Sequence, residues 1–275
     1  MYRIVPWALA AALLPAVASG SSRADELNVG GTGAVLGLLH RLGDDFANAH
    51  PGDKLNVIPG MGSSGGISAV AEGALQVSFS SRDLKPQERA RGLEISPILE
   101  TPFVFVTSNP QPAALGKSDV VAIYDGAMMS WPDGKPIKPI LRPKSDSATD
   151  FLIANFDGMQ SAMDKVRKRP DVPVAATDQD NVDAAEKIEN SFSGATLAQL
   201  ITEEPRLRRI SIDGVDASLV AMENGTYPYK MTMSVVTKSE RTPVVQRFMA
   251  FLQSAKAETI FRENGAAPVA RETKR

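Results

Sequence analysis

The chain has 275 residues, 43% hydrophobic and 23% charged, the proportions of a folded globular protein long enough for one large domain or two ordinary ones. It contains no cysteine and only two histidines, His40 and His50, which excludes disulfides, thiolate chemistry and Cys-type zinc and argues against a His-rich metal site. A net charge of −2 and 6% aromatics argue against a broad basic or base-stacking surface for nucleic acid.

The first residues read as a separate object. Arg3 precedes an apolar run from Trp7 to Ala18, interrupted only by Pro15, and Ser22-Arg23-Ala24 puts small residues at the two key positions before a cut. This is the pattern of a cleaved secretory signal peptide over residues 1–24, and the run is too short to span a bilayer. Its removal takes away two arginines and no acid, so −2 becomes −4. A soluble mature protein in a bacterial periplasm is expected.

Glu26–Gly30 reads as a strand entering Gly-Gly-Thr-Gly. Val35, Leu38, Leu39, Leu42 and Phe46 then fall on one helical stripe, stopped by Pro51-Gly52. Lys54–Pro59 reads as a second strand, Gly60–Gly66 as a flexible loop, Ile67, Val70 and Ala71 as a short helix, and Gln76–Ser80 as a third strand. This alternation predicts a parallel sheet covered by helices.

Glu100–Asn109 is extended. A short helix around Val120–Tyr124, a turn at Trp131-Pro132-Asp133-Gly134 and a strand near Ile137–Leu141 follow. Val182–Glu189 and Thr196–Ile201 look helical, Arg209–Ile212 extended, and Ser218–Asn224 helical up to Gly225. Lys230–Thr237 is extended again, Thr242-Pro243 starts a helix, and Ala257–Asn264 is a last helix ended by Gly265. The two extended runs, Thr101–Thr107 and Met231–Thr237, flank a central block with its own elements. The economical reading is α/β, with residues 25–104 plus 235–275 as one lobe, residues 105–234 as the other, and two crossings between them.

Three small polar turns stand directly ahead of helices: Gly31-Thr32-Gly33, Gly62-Ser63-Ser64-Gly65-Gly66, and Ser145-Asp146-Ser147-Ala148-Thr149. A helix start offers free N–H groups and a partial positive charge, and Ser or Thr adds a hydroxyl donor. One such turn is usually only a cap. Three of them, two on one lobe and one on the other, point to an anion held in the cleft.

Here the chain resembles, nearly end to end, the periplasmic phosphate-binding proteins of ABC importers. Gly60-Met61-Gly62-Ser63-Ser64-Gly65-Gly66 is similar to that family's G-x-G-S-S-G-G loop, the most specific match. Gly30-Gly31-Thr32-Gly33 stands at its first loop, and Phe79-Ser80-Ser81-Arg82 at a strand end that carries Ser-Asp or Ser-Arg. Arg142 through Thr149 stands at an arginine followed by D-G-S-G-T, and Asn224-Gly225-Thr226-Tyr227-Pro228 at a G-x-Y-P run. The resemblance implies a two-lobed periplasmic-binding-protein fold of type II, with two hinge crossovers. The ligand, a tetrahedral oxyanion and most simply phosphate, would sit in the interlobe cleft for delivery to an ABC permease. It implies a monomeric binding protein rather than an enzyme, without cofactor, metal or nucleic acid. The implied ligand-binding residues are Thr32, Gly33, Ser63, Ser64, Ser81, Arg82, Arg142, Ser147 and Thr149.

Phosphate at neutral pH carries a proton and needs an acceptor, which a donor-only site for sulfate does not. The family's acceptor Asp is Ser81 here, which leaves Asp83, Asp146 and Asp150 as candidates. Ala148 replaces a glycine of the third loop, and the arginine is displaced by one position to Arg142. A sulfate-like or other oxyanion, or an anion-sensing role, therefore stays open.

Gly60-x-Gly62-x-x-Gly65 also fits a dinucleotide fingerprint, and so a dinucleotide-dependent oxidoreductase. It lies in the second strand–helix unit, however, with Arg82 where a ribose-binding acid belongs. Gly62-x-Ser64-x-Gly66 fits a nucleophile elbow, but both histidines precede Ser64, against the order that fold requires. An interaction protein without a small ligand is the remaining class, and the absence of any anion-induced stabilisation would distinguish it. Trp131 reads as a packing or turn residue, and Lys165–Arg169 as a solvated helix end.

Overall fold

Burial follows the stripe read from the sequence: Val35, Leu38, Leu39, Leu42 and Phe46 are all fully buried. They turn one face of an amphipathic helix onto the first strands. The computed structural model describes residues 25–270, so the expected leader at residues 1–24 lies outside the described residues.

The first elements are β1 (Asp25–Gly31), a 3-10 turn (Gly33–Val35), α1 (Leu36–Ala49), β2 (Asp53–Val57), α2 (Gly62–Glu72), β3 (Val77–Ser80), α3 (Pro86–Arg89) and β4 (Leu93–Thr107). The middle holds α4 (Lys117–Asp125), β5 (Lys138–Pro139), α5 (Ser147–Asn155), α6 (Met159–Val166), α7 (Asp178–Lys187), β6 (Ser191–Thr196), α8 (Leu197–Glu203), β7 (Arg208–Ile210) and α9 (Leu219–Glu223). The chain closes with β8 (Lys230–Lys238), α10 (Pro243–Phe251), α11 (Ala255–Glu263) and β9 (Ala267–Pro268).

The strand order is β2-β1-β3-β8-β4-β6-β5. The first three strands are parallel, as expected, but β8 is antiparallel to both β3 and β4, so the sheet is mixed. The reason is topological: β8 returns after the central block and runs back between strands laid down much earlier. β4 pairs with β8 from Leu93 to Pro102 and with β6 from Phe103 to Val106, so a single strand passes through both halves of the molecule. Tyr227, in the G-T-Y-P run, donates its buried hydroxyl to the Phe103 carbonyl at 2.6 Å, where β4 changes partners. Around that point Phe103, Phe105, Phe156 and Phe192 pack ring against ring in the core.

Several local expectations need correction. Gly62–Gly66 is the first turn of α2 and not a loop. Gly66 makes this geometry workable, because a Cβ there would lie 2.6 Å from the Gly31 Cα, so the helix rests directly on β1. β4 begins at Leu93, earlier than the extended run suggested. β6 and the short α3 have no counterpart among the expected elements, and of α6 only the end at Lys165–Arg169 does. The β6 segment, Ser-Phe-Ser-Gly-Ala-Thr, has small polar residues at buried positions, which hides the strand pattern.

Candidate anion-binding site

Each of the three polar turns ends near the same place. β1 stops at Gly31, and Thr32 caps the 3-10 turn, its hydroxyl oxygen accepting from the Ala34 N–H at 3.4 Å. Thr32 is 3% exposed. The start of α2 brings Ser63, and the end of β3 brings Ser81. The Ser81 N–H donates to the Ser63 hydroxyl oxygen at 3.0 Å, and the two hydroxyls lie 3.1 Å apart. From the other half of the chain, Ser147, the first residue of α5, puts its hydroxyl 2.6 Å from that of Ser81. Three hydroxyls from three separate elements thus form one chain across the junction between the halves.

Two spaces adjoin this chain. Inside lies a cavity of about 10 Å³, the room of roughly one water, bordered by Thr32, Ser81, Ser147, Asp178 and Thr196. Outside lies a cleft of about 140 Å³ between Gly62, Ser63 and Ser64 on one wall and Pro143, Ser145 and Ser147 on the other.

The arginines are engaged within the protein. Arg82 forms a bidentate fork with Glu88 at 2.8 and 2.9 Å, donates from Nε to the Ser64 hydroxyl at 3.1 Å and from Nη1 to the Asp83 carbonyl at 2.8 Å. This guanidinium, expected to face the anion, holds Ser64 instead. Its hydrogen bonds keep the Glu88 carboxyl at about 2, against an ordinary 4.5, despite the opposing effect of burial.

Arg142 is buried. It donates to the Ala175 carbonyl at 2.9 Å and to Asp146 Oδ2 at 2.8 Å, and it lies 3.4 Å from Asp178 Oδ1. Its Nε has no protein partner. Thr149 turns its hydroxyl back onto the Pro143 carbonyl at 2.9 Å, so it braces the third loop from within. Arg167, which the sequence reading placed in a solvated helix end, reaches in to the Arg142 carbonyl at 2.9 Å and supports the same loop.

Of the acceptors considered, Asp83 is exposed and bonded to Arg89, and Asp150 is exposed. Asp146 spends one oxygen on Arg142 and the other on the Ala148 N–H as the α5 cap. The carboxylate that borders the inner cavity is Asp178, which the sequence reading missed. Its only signal is Thr-Asp-Gln-Asp at a helix start, which reads as a capping box and no more. Burial pushes the Asp178 carboxyl up, opposed chiefly by Arg142; Asp146 adds to the rise, while the Gly33 and Ala34 N–H groups lower it.

The arrangement has little free positive charge, since Arg82 and Arg142 are both offset by carboxylates. What it offers an anion is a set of oriented N–H and O–H dipoles in a place largely withdrawn from water, where such dipoles act strongly. Among the described residues no cluster of His, Asp and Glu could hold a metal ion, and no helix is long and apolar enough to cross a membrane.

Comparison with known proteins gives a consistent picture. A PBP superfamily domain matches residues 16–256. The chain is 25% identical over 267 residues to the phosphate-binding protein PstS of Bacillus subtilis (strain 168), covering 92% of this chain and 84% of the relative. A Clostridium perfringens protein described as a phosphate ABC transporter substrate-binding protein, solved with bound phosphate, superposes with a TM-score of 0.78. It shares 19% identity, over 90% of this chain and all of that one. The high-affinity periplasmic phosphate-binding protein PfluDING, also bound with phosphate, gives a TM-score of 0.71 at 13% identity, over 88% and 90% of the two chains.

Proposed function

Because this chain belongs to the PBP superfamily, we propose that it is an extracytoplasmic binding protein that captures phosphate and presents it to an ABC importer. The carrying observation is the convergence of Ser63 from α2, Ser81 from just beyond β3 and Ser147 from α5 onto one spot between the two halves of the fold. Thr32 and the first N–H groups after β1 complete the ring of donors. A tetrahedral oxyanion suits that ring, since it takes several hydrogen bonds from different directions without needing a formal countercharge. The relatives named for phosphate support the choice of anion, and the periplasmic one supports the location. A sulfate-like oxyanion or a sensing role is the competing reading.

In this reading residues 25–104 with 235–275 form one lobe, residues 105–234 the other, and β4 and β8 serve as the crossings. The protein is a monomeric carrier and not an enzyme; its work ends when the lobes part at the permease. Calorimetry with phosphate, arsenate, sulfate and molybdate tests the assignment. Phosphate should bind at least as tightly as any other member of the panel. A protein that binds none of them, or that prefers sulfate, would refute phosphate capture.

A further inference from the structure

Asp178 opens α7 from the Thr177 cap, and its side chain is 18% exposed. Its carboxylate lies against the first polar turn: Oδ2 is 2.9 Å from the place a Cβ on Gly33 would take, near enough for the Gly33 and Ala34 N–H groups to favour its charged form. These are the donors that the first turn would offer to a ligand. Arg142 stands 3.4 Å from its other oxygen. The next residue tightens the contact, for Gln179 Nε2 donates to the Gly33 carbonyl at 3.0 Å and to Glu203 at 2.8 Å. α7 therefore holds the carbonyl of Gly33 and sets a carboxylate beside its Cα across the junction of the two halves.

We propose that Asp178 is the site's own anion and a determinant of its specificity: its carboxylate competes with the incoming ligand for the N–H groups of the first turn and for Arg142. The inference rests on the anion-capture reading above. Two negative groups cannot share two N–H donors, and at contact distance their repulsion in a place poor in water is large. Capture therefore requires that the carboxylate swing away or that one proton settle between the two anions.

The groups facing Asp178 are Arg142, which favours its charged form, and Asp146 at the α5 cap, which opposes it. Glu203 on α8 is close as well, its carboxyl raised by burial despite hydrogen bonds from Gln179 and Gln199. Protonating Asp178 removes the competitor. Affinity for an anion of fixed charge should therefore rise as pH falls through the titration of this carboxyl, and phosphate, which can bring its own proton, should be favoured over sulfate near neutral pH.

The test uses the full chain, with inorganic phosphate and sulfate as probes, by calorimetry and by thermal melting. Asp178→Asn and Asp178→Ala should bind phosphate about tenfold or more tighter than wild type at about pH 8. Wild-type affinity for sulfate, a dianion throughout, should climb as pH falls through the titration of Asp178, and that climb should vanish in both variants. Phosphate affinity that is unchanged or weaker in variants with wild-type melting would overturn the proposal. If neither variant folds, the wild-type sulfate series decides alone, and a flat series overturns it. A wild type that binds neither anion would instead sink the capture reading, an outcome distinct from these.

Discussion

At the residue scale the site shows how hydroxyls and charges divide the work. Ser63 both faces the outer cleft and accepts the Ser81 N–H. Ser63→Ala should weaken phosphate binding by roughly ten- to a hundredfold, the cost of one donor to a charged ligand, as titration calorimetry would show. Its melting temperature should fall by only a few degrees, since one N–H loses a partner. The Arg82–Glu88 pair has a different signature. Glu88 titrates at about 2 against its ordinary 4.5, so it adds stability that is complete above pH 4.5 and disappears as pH falls toward 2. Glu88→Gln should flatten the loss of stability across that window in acid-denaturation curves. A slope equal to wild type would mean that the pair contributes nothing. The loop hydroxyls were legible in the sequence because Gly-Ser-Ser-Gly-Gly and Ser-Asp-Ser-Ala-Thr precede helices. Of the arginines' partners, Asp146 is within reach of Arg142 at i,i+4, but Glu88 and Asp178 lie on surface-like stretches whose approach to Arg82 and Arg142 depends on the tertiary fold.

At the element scale one tight constraint is the seating of α2 on β1. A Cβ on Gly66 would meet the Ser78 hydroxyl at 2.2 Å and the Gly31 Cα at 2.6 Å. Neither the strand backbone nor the buried Ser78 has room to yield, so Gly66→Ala should cost roughly 1–3 kcal/mol of stability by chemical denaturation. It should also move Ser63 and so weaken anion binding, whereas Gly60→Ala, with open space around its Cβ, acts only through its positive φ of 77°. Amphipathic elements such as α1, with its buried stripe, were readable from periodicity. β6 and the early part of β4 were not. β6 buries serine and threonine by bonding them to neighbours, as Ser193 bonds Asn181 at 2.6 Å. β4 breaks its pattern at a register shift between Pro97 and Leu99.

At the scale of the whole molecule, the proposed reading has two strands joining the halves and donors for the anion coming from both. Rotation about β4 and β8 should open and close the space around Ser81 and Ser147. Small-angle scattering should therefore report a smaller radius of gyration with saturating phosphate than without it, and an unchanged radius would argue against a hinge. The two extended runs flanking the central block, which lie within β4 and β8, were visible in the sequence. The antiparallel direction of β8 was not, because nothing local tells a strand which way its distant partners run.

The position of β8 also bears on how the chain acquires its structure. β8 lies between β3 and β4, pairing Ser78 with Val236 and Leu93 with Lys238, partners far apart in sequence. A growing chain that has not yet reached Lys230 has two strands waiting with an empty place between them. Closing such long loops is slow, and the sheet cannot be completed until synthesis is nearly finished. The centre of the sheet is therefore assembled late, whatever helices and parallel strands form before it.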